Sequence, residues 1–136
     1  MNLNKSTRYA LHAALEMTLA GAQPVTASQV AARYDIPENV VAKVLQQLVR
    51  SGLASASRGV GGGYRLARPA NEVTVQDVID LFEPMPAPDA CMLRELPAAE
   101  CPGAAEAPCR LKALFHEVDE TARATLASVT LATLAG

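Results

Sequence analysis

Residues 6–20 (STRYALHAALEMTLA) are rich in helix formers and free of glycine and proline, which predicts a first helix. Gly21 to Pro24 breaks it. Thr26-Ala-Ser-Gln29 has the form of a capping box and predicts a short helix reaching about Tyr34. Pro37 suits the first turn of a third helix that runs to about Ser51, where Gly52 stops it. In that helix Val40, Val41, Val44, Leu45 and Leu48 recur at helical spacing, while Asn39, Lys43, Gln46 and Arg50 take the polar side. Two short helices joined by a tight turn, the second with such a polar face, form a helix-turn-helix pattern.

Residues 53–57 and 64–67 then predict two strands of a hairpin, joined by the glycine-rich run Arg58-Gly-Val-Gly-Gly-Gly63. That run is not a phosphate-binding P-loop, because no Gly-Lys-Ser/Thr follows it and the next element is a strand. Thr74 to Asp77 caps a short helix ending near Phe82. Residues 84–108 are rich in proline and alanine and predict an irregular loop. From Cys109 onward, Leu111, Leu114, Phe115, Val118, Ala122, Leu126 and Val129 form an apolar stripe along a long helix. A solitary helix of this kind has more apolar surface than a small domain can cover, and a homodimer is the direct way to bury it. The predicted architecture is mainly α with a small β-hairpin wing. A winged helix-turn-helix occupies residues 1–83, a cysteine-containing loop 84–108 and a long dimerisation helix 109–136.

Composition narrows the class. A chain of 136 residues suits one domain plus an added helix. No stretch approaches the roughly 20 apolar residues of a membrane span, and the N-terminus has no signal-peptide pattern. Three cysteines are too few, and odd in number, for a secreted disulfide framework, so a reducing cytoplasm is expected. The net charge is only -2, but its distribution is uneven. Residues 1–68 hold eight basic and three acidic residues, a net of +5, and the remainder holds four and eleven, a net of -7. Neutralising phosphates requires concentrated positive charge rather than an overall excess, and the N-terminal half supplies it.

The stretch SASRGVGGGYRLARPANEVTVQDVID, residues 55–80, resembles the wing and following helix of the Rrf2 family of bacterial transcription regulators. The opening LNKSTRYALHAALEM and the ending TLASVTLATLA resemble that family's first and last helices, so the likeness spans nearly the whole chain. The resemblance implies a homodimer whose recognition helices enter successive major grooves of a near-palindromic double-stranded operator. Carried over by position, Asn39, Val40 and Lys43 would face base edges, and Ser28 and Gln29 would donate to phosphates. Arg58 would reach into the minor groove from the wing, and Gly61, Gly62 and Tyr64 would hold the wing against the sugar–phosphate edge.

The cysteines bear on what such a regulator senses. Cys91, Cys101 and Cys109 are thiolate donors suited to iron–sulfur clusters or zinc, and they leave one ligand to be found. The resemblance implies an iron–sulfur cluster held by three cysteines in this part of the chain, with 2Fe–2S preferred to 4Fe–4S. Lys112 stands where some members carry a histidine ligand, and Arg8 where others carry an acidic one. By the same resemblance the fourth ligand is His12 of the partner subunit, although packing of His12 on the first helix remains open. His116 follows Cys109 by seven residues, about 10 Å along a helix, too far to share a metal. The signal read by such a cluster would be redox state, nitric oxide or iron supply. A cluster-free member of the same family, switched by thiol oxidation, is the alternative. An enzyme is not expected, since no general base accompanies a cysteine and no oxyanion-forming motif is present.

Overall fold

Asn4 starts the first helix by accepting the Thr7 N–H on its side chain at 2.8 Å. In the computed structural model, which describes residues 2–84 and 110–136, the chain runs through six α-helices and two strands among those residues. Helix α1 spans Lys5–Ala20, α2 Ala27–Tyr34 and α3 Glu38–Arg50. Strands β1 (Ala54–Ser57) and β2 (Gly63–Leu66) follow, then a single 3-10 turn at Ala70–Glu72 and α4 (Val75–Phe82). The C-terminal part contributes α5 (Arg110–Ala127) and α6 (Leu131–Ala135). The expected winged helix-turn-helix is therefore present, with helix limits close to those predicted.

Local chemistry explains these boundaries. Thr26 and Gln29 form the reciprocal capping box, with Thr26 N–H donating to Gln29 Oε1 at 2.9 Å and Gln29 N–H to Thr26 Oγ1 at 3.1 Å. Thr74 and Asp77 repeat the device at α4, at 2.9 and 3.0 Å. Between α2 and α3 the chain turns through Asp35 in the left-handed region (φ 54°, ψ 51°), a conformation that aspartate tolerates. Helix α3 buries Val41, Val44, Leu45 and Leu48 against α1 and α2.

Residues 1–83 and 126–136 make one compact unit around these helices. Its core centres on Ala10, Ala13, Ala14 and Met17 of α1, packed with Val30, Leu45, Leu48, Val73, Val78 and Leu131. Leu131 is wholly buried, and the helix that carries it is not a continuation of α5. The predicted helix over 109–136 ends at Ala127, and α6 is a separate element capped by Thr130. Val129, expected on the apolar stripe, instead accepts the Val75 N–H at 2.9 Å, and Leu131 N–H donates to Val73 at 2.9 Å. Those two bonds tie the C-terminus to the start of α4, so the chain must leave the helical path before Thr130. A further staple joins the ends of α1 and α4. Glu83 Oε1 accepts from Asn4 N–H at 2.8 Å and from Thr7 Oγ1 at 2.7 Å, while Asn4 Nδ2 donates to Phe82 O at 2.8 Å.

The other unit, residues 84–125, contains most of α5. Leu111, Leu114, Phe115 and Val118 of the predicted apolar stripe are 50 to 61% exposed on it, whereas Ala122, Leu126 and Val129 are half-buried. Among the described residues no helix is long and apolar enough to cross a membrane.

Two predictions concern this scaffold. Leu131→Ala should destabilise the protein by roughly 2–5 kcal/mol, the range for emptying a buried leucine site, as measured by urea unfolding. The two hydrogen bonds, led by that from Thr7, hold the Glu83 carboxyl below its ordinary value of 4.5. Its contribution is full above that value and is lost as pH falls through the depressed one. Glu83→Ala should therefore melt below the wild type at pH 7, and the gap should close in acid.

Candidate nucleic-acid interface

Helix α3 divides cleanly into two faces. Asn39, Lys43, Gln46 and Arg50 are exposed on one, and the valines and leucines of the core occupy the other. Val40 is half-buried beside them, its N–H donating to Pro37 O at 3.1 Å. The first turn of α2 exposes Ser28 and Gln29. The capping box occupies the Gln29 carbonyl oxygen, which leaves its side-chain N–H₂ as the group able to donate outward.

The wing is built by backbone contacts. Strands β1 and β2 pair antiparallel from Ala54↔Leu66 to Ser57↔Gly63. Beyond the hairpin, Val25 and Tyr64 exchange two backbone hydrogen bonds of 2.8 Å each. Since Val25 directly precedes the Thr26 cap, this bridge sets the base of the wing beside the start of α2. Glycine is required where the chain is tightest. A Cβ on Gly62 would lie 2.4 Å from Ser57 O, and one on Gly63 2.8 Å from Val25 O. Arg58 and Gly61 are exposed in the turn, whereas Tyr64 is half-buried against the core. The bridge to Val25 was not anticipated from sequence, because a single residue pair leaves no periodic pattern.

Electrostatics sort the basic residues. Arg33 is engaged internally, its Nε 2.8 Å from Glu16 Oε1 and its guanidinium over the Tyr34 ring at 5.7 Å. Lys43, Arg50, Arg58 and Arg65 are exposed and, among the described residues, none has an acidic partner. Unpaired cations on an exposed face can meet phosphates without first breaking an ion pair, and the counterions this frees from the DNA favour binding.

His12 lies on the exposed side of α1. Its Nδ1 is 2.7 Å from Arg8 O, so this nitrogen carries the proton and Nε2 keeps its lone pair in the neutral ring. Tyr34 meets the imidazole edge-on, with centroids 4.8 Å apart, and donates its hydroxyl to Glu16 at 2.6 Å. Partial burial, reinforced by Glu16, raises the phenol above its ordinary pKa of 10.0. Cys91, Cys101 and Cys109 lie outside the described residues, among which no group of three or more His, Cys, Asp or Glu could hold a metal. His116 is exposed and 3.1 Å from Glu120 on the same helix.

The model of the Rrf2 family, described as an iron-dependent transcriptional regulator, matches residues 3–136. The chain belongs to the Rrf2 family. It is 39% identical over 134 residues to BadM of Rhodopseudomonas palustris, named for HTH-type transcriptional regulation, covering 98% of this chain and 81% of BadM. Two solved structures share its fold. T. potens IscR superposes with a TM-score of 0.77 at 22% identity, covering 98% of this chain and 85% of that one. The B. subtilis global cysteine regulator CymR superposes with a TM-score of 0.78 at 24% identity, covering 99% and 96%. As an Rrf2 protein the chain is a DNA-binding transcriptional regulator and not an enzyme.

The wing geometry yields a direct check. Gly62→Ala should distort the hairpin and weaken binding to duplexes selected by the wild type by about tenfold or more. Helical circular dichroism should be preserved, because no helix depends on that turn. Unchanged affinity would remove the wing from the interface.

Proposed function

We propose that this Rrf2 protein is a cytoplasmic homodimeric repressor of near-palindromic operators, its DNA affinity governed by an iron–sulfur cluster. The observation that carries the DNA-binding part is an exposed polar face of α3 together with a rigid wing bearing an unpaired Arg58. Asn39, Val40 and Lys43 read base edges in the major groove, Ser28 and Gln29 donate to phosphates, and Arg58 enters the minor groove. Gly61 and Gly62 shape the wing, and Tyr64 anchors it. The uncovered apolar stripe of α5 supports dimerisation, since it gains burial only against another surface.

The sensing part rests on donor chemistry. Cys91, Cys101 and Cys109 offer three soft thiolates, and His12 of the partner subunit supplies the fourth ligand. The described geometry of His12 fits that role. A ligating imidazole commonly gives its other N–H to a carbonyl, and the Arg8 carbonyl holds Nδ1 in that way. A mixed sulfur and nitrogen donor set has a precedent in 2Fe–2S centres, the type we take here over 4Fe–4S. When bound, the cluster supplies a redox-active centre sensitive to oxidants, nitric oxide or iron supply. The substitution of Lys112 and Arg8 at ligand positions of some relatives favours the second reading, a thiol switch made by the same cysteines.

The deciding measurement is iron and acid-labile sulfide in anaerobically purified protein, read with its visible spectrum. Stoichiometric iron and sulfide are expected, with Cys91→Ala losing both along with the response of DNA binding to oxidant. Colourless, metal-free protein that still binds DNA would transfer the cysteines to the thiol-switch reading. For the DNA reading, Lys43→Ala should reduce affinity and, if Lys43 also neutralises a phosphate, lower the salt slope by about 1.

A further inference from the structure

The wing turn carries one apolar side chain, and its placement is unusual for this protein. Val60 is fully exposed, at 110% of its reference area, whereas the other exposed large hydrophobic residues described lie between 50 and 61%. Gly62 N–H donates to Gly59 O at 3.0 Å, so residues 59–62 close a turn with Val60 and Gly61 at its centre. Gly61 has φ 77°, as the third position of a type II turn requires, and Val60 occupies the second. The apex is also held from below, since Gly62 has no space for a side chain. A β-branched isopropyl group is thus projected from a stiff turn, two residues beyond Arg58.

We infer that Val60 is a specificity-determining residue that rejects G·C pairs in the minor groove through the guanine N2 amino group. This rests on the reading that the wing enters that groove. There, A·T and T·A pairs present only acceptors, and a G·C pair adds the N2 amino donor on the groove floor. An isopropyl group laid over that donor displaces its water and offers no acceptor in return. Over an A·T pair the same group makes van der Waals contact without stranding a donor. Arg58 favours narrow A·T tracts by charge, a preference that a change at Val60 leaves in place.

Duplexes selected by the wild type from a random pool provide the substrate. Each pair flanking the major-groove half-sites is then changed to G·C or to inosine·C, which lacks the N2 amino group. For the wild type, G·C at the wing position should weaken binding about tenfold and inosine·C should restore it. Val60→Ser, an exposed change that leaves the fold and Arg58 intact, should lose most of the difference between G·C and inosine·C. A G·C penalty of unchanged size in Val60→Ser, or one that persists with inosine, would overturn the inference. So would sequence-selective binding with no penalty at any flanking pair. If the wild type selected no sequence, the DNA reading itself would fail and the role of Val60 with it.

Discussion

The head depends on how closely other elements can approach α1. Its inward face is Ala10, Ala13 and Ala14 with Met17, all but devoid of solvent contact. The separation of packed helices is set by the side chains at the contact, and alanine sets it short. That is why α3, α4, α6 and β2 can all touch this one helix. With larger residues on the same face, the elements around it would be pushed apart. The Glu83 staple to Asn4 and Thr7 and the bonds of Val129 and Leu131 with Val75 and Val73 would then lose their geometry.

The same helix also ties the core to the end of α2. One face of α1 is core, and the other carries His12 in edge contact with Tyr34, the last residue of α2. Glu16 binds both Tyr34 and Arg33, so α1 and the end of α2 are joined by charge and hydrogen bonding as well as by packing. Arg33 is thereby paired with an acid, although its side chain stays 62% exposed. The exposed cations of α3 and the wing remain, concentrated in the half of the chain with net positive charge.

The wing shows a different economy. Two glycines whose missing side chains admit backbone oxygens, and one residue pair with Val25, fix its shape without a core of its own. A hairpin this small would be marginal by itself, and its stability comes from being pinned to the start of α2. Rigidity obtained through the backbone leaves the side chains of the turn free to face a partner.

Periodicity, caps and breakers are local, and they determined most of what could be read in advance. The two capping boxes, the apolar spacing of α3 and the glycine run placed α2, α3, the hairpin and α4 within a few residues of their observed limits. The family was legible for the same reason, since its wing motif is contiguous in sequence. The polar face of α3 followed from helical spacing alone. Only the tertiary structure decided that the last helix stops at Ala127 and that Leu131 completes the core. An apolar stripe looks the same whether its residues face a partner or fold back onto the head, and the difference lies in the bonds that join Val129 and Leu131 to Val75 and Val73. Nor could the sequence reveal that Arg33 is paired, that Gln29 spends its carbonyl on the cap, or that Tyr34 meets His12. Those facts arise from residues distant in sequence or from the choice of one hydrogen-bond partner over another, and a linear pattern records neither.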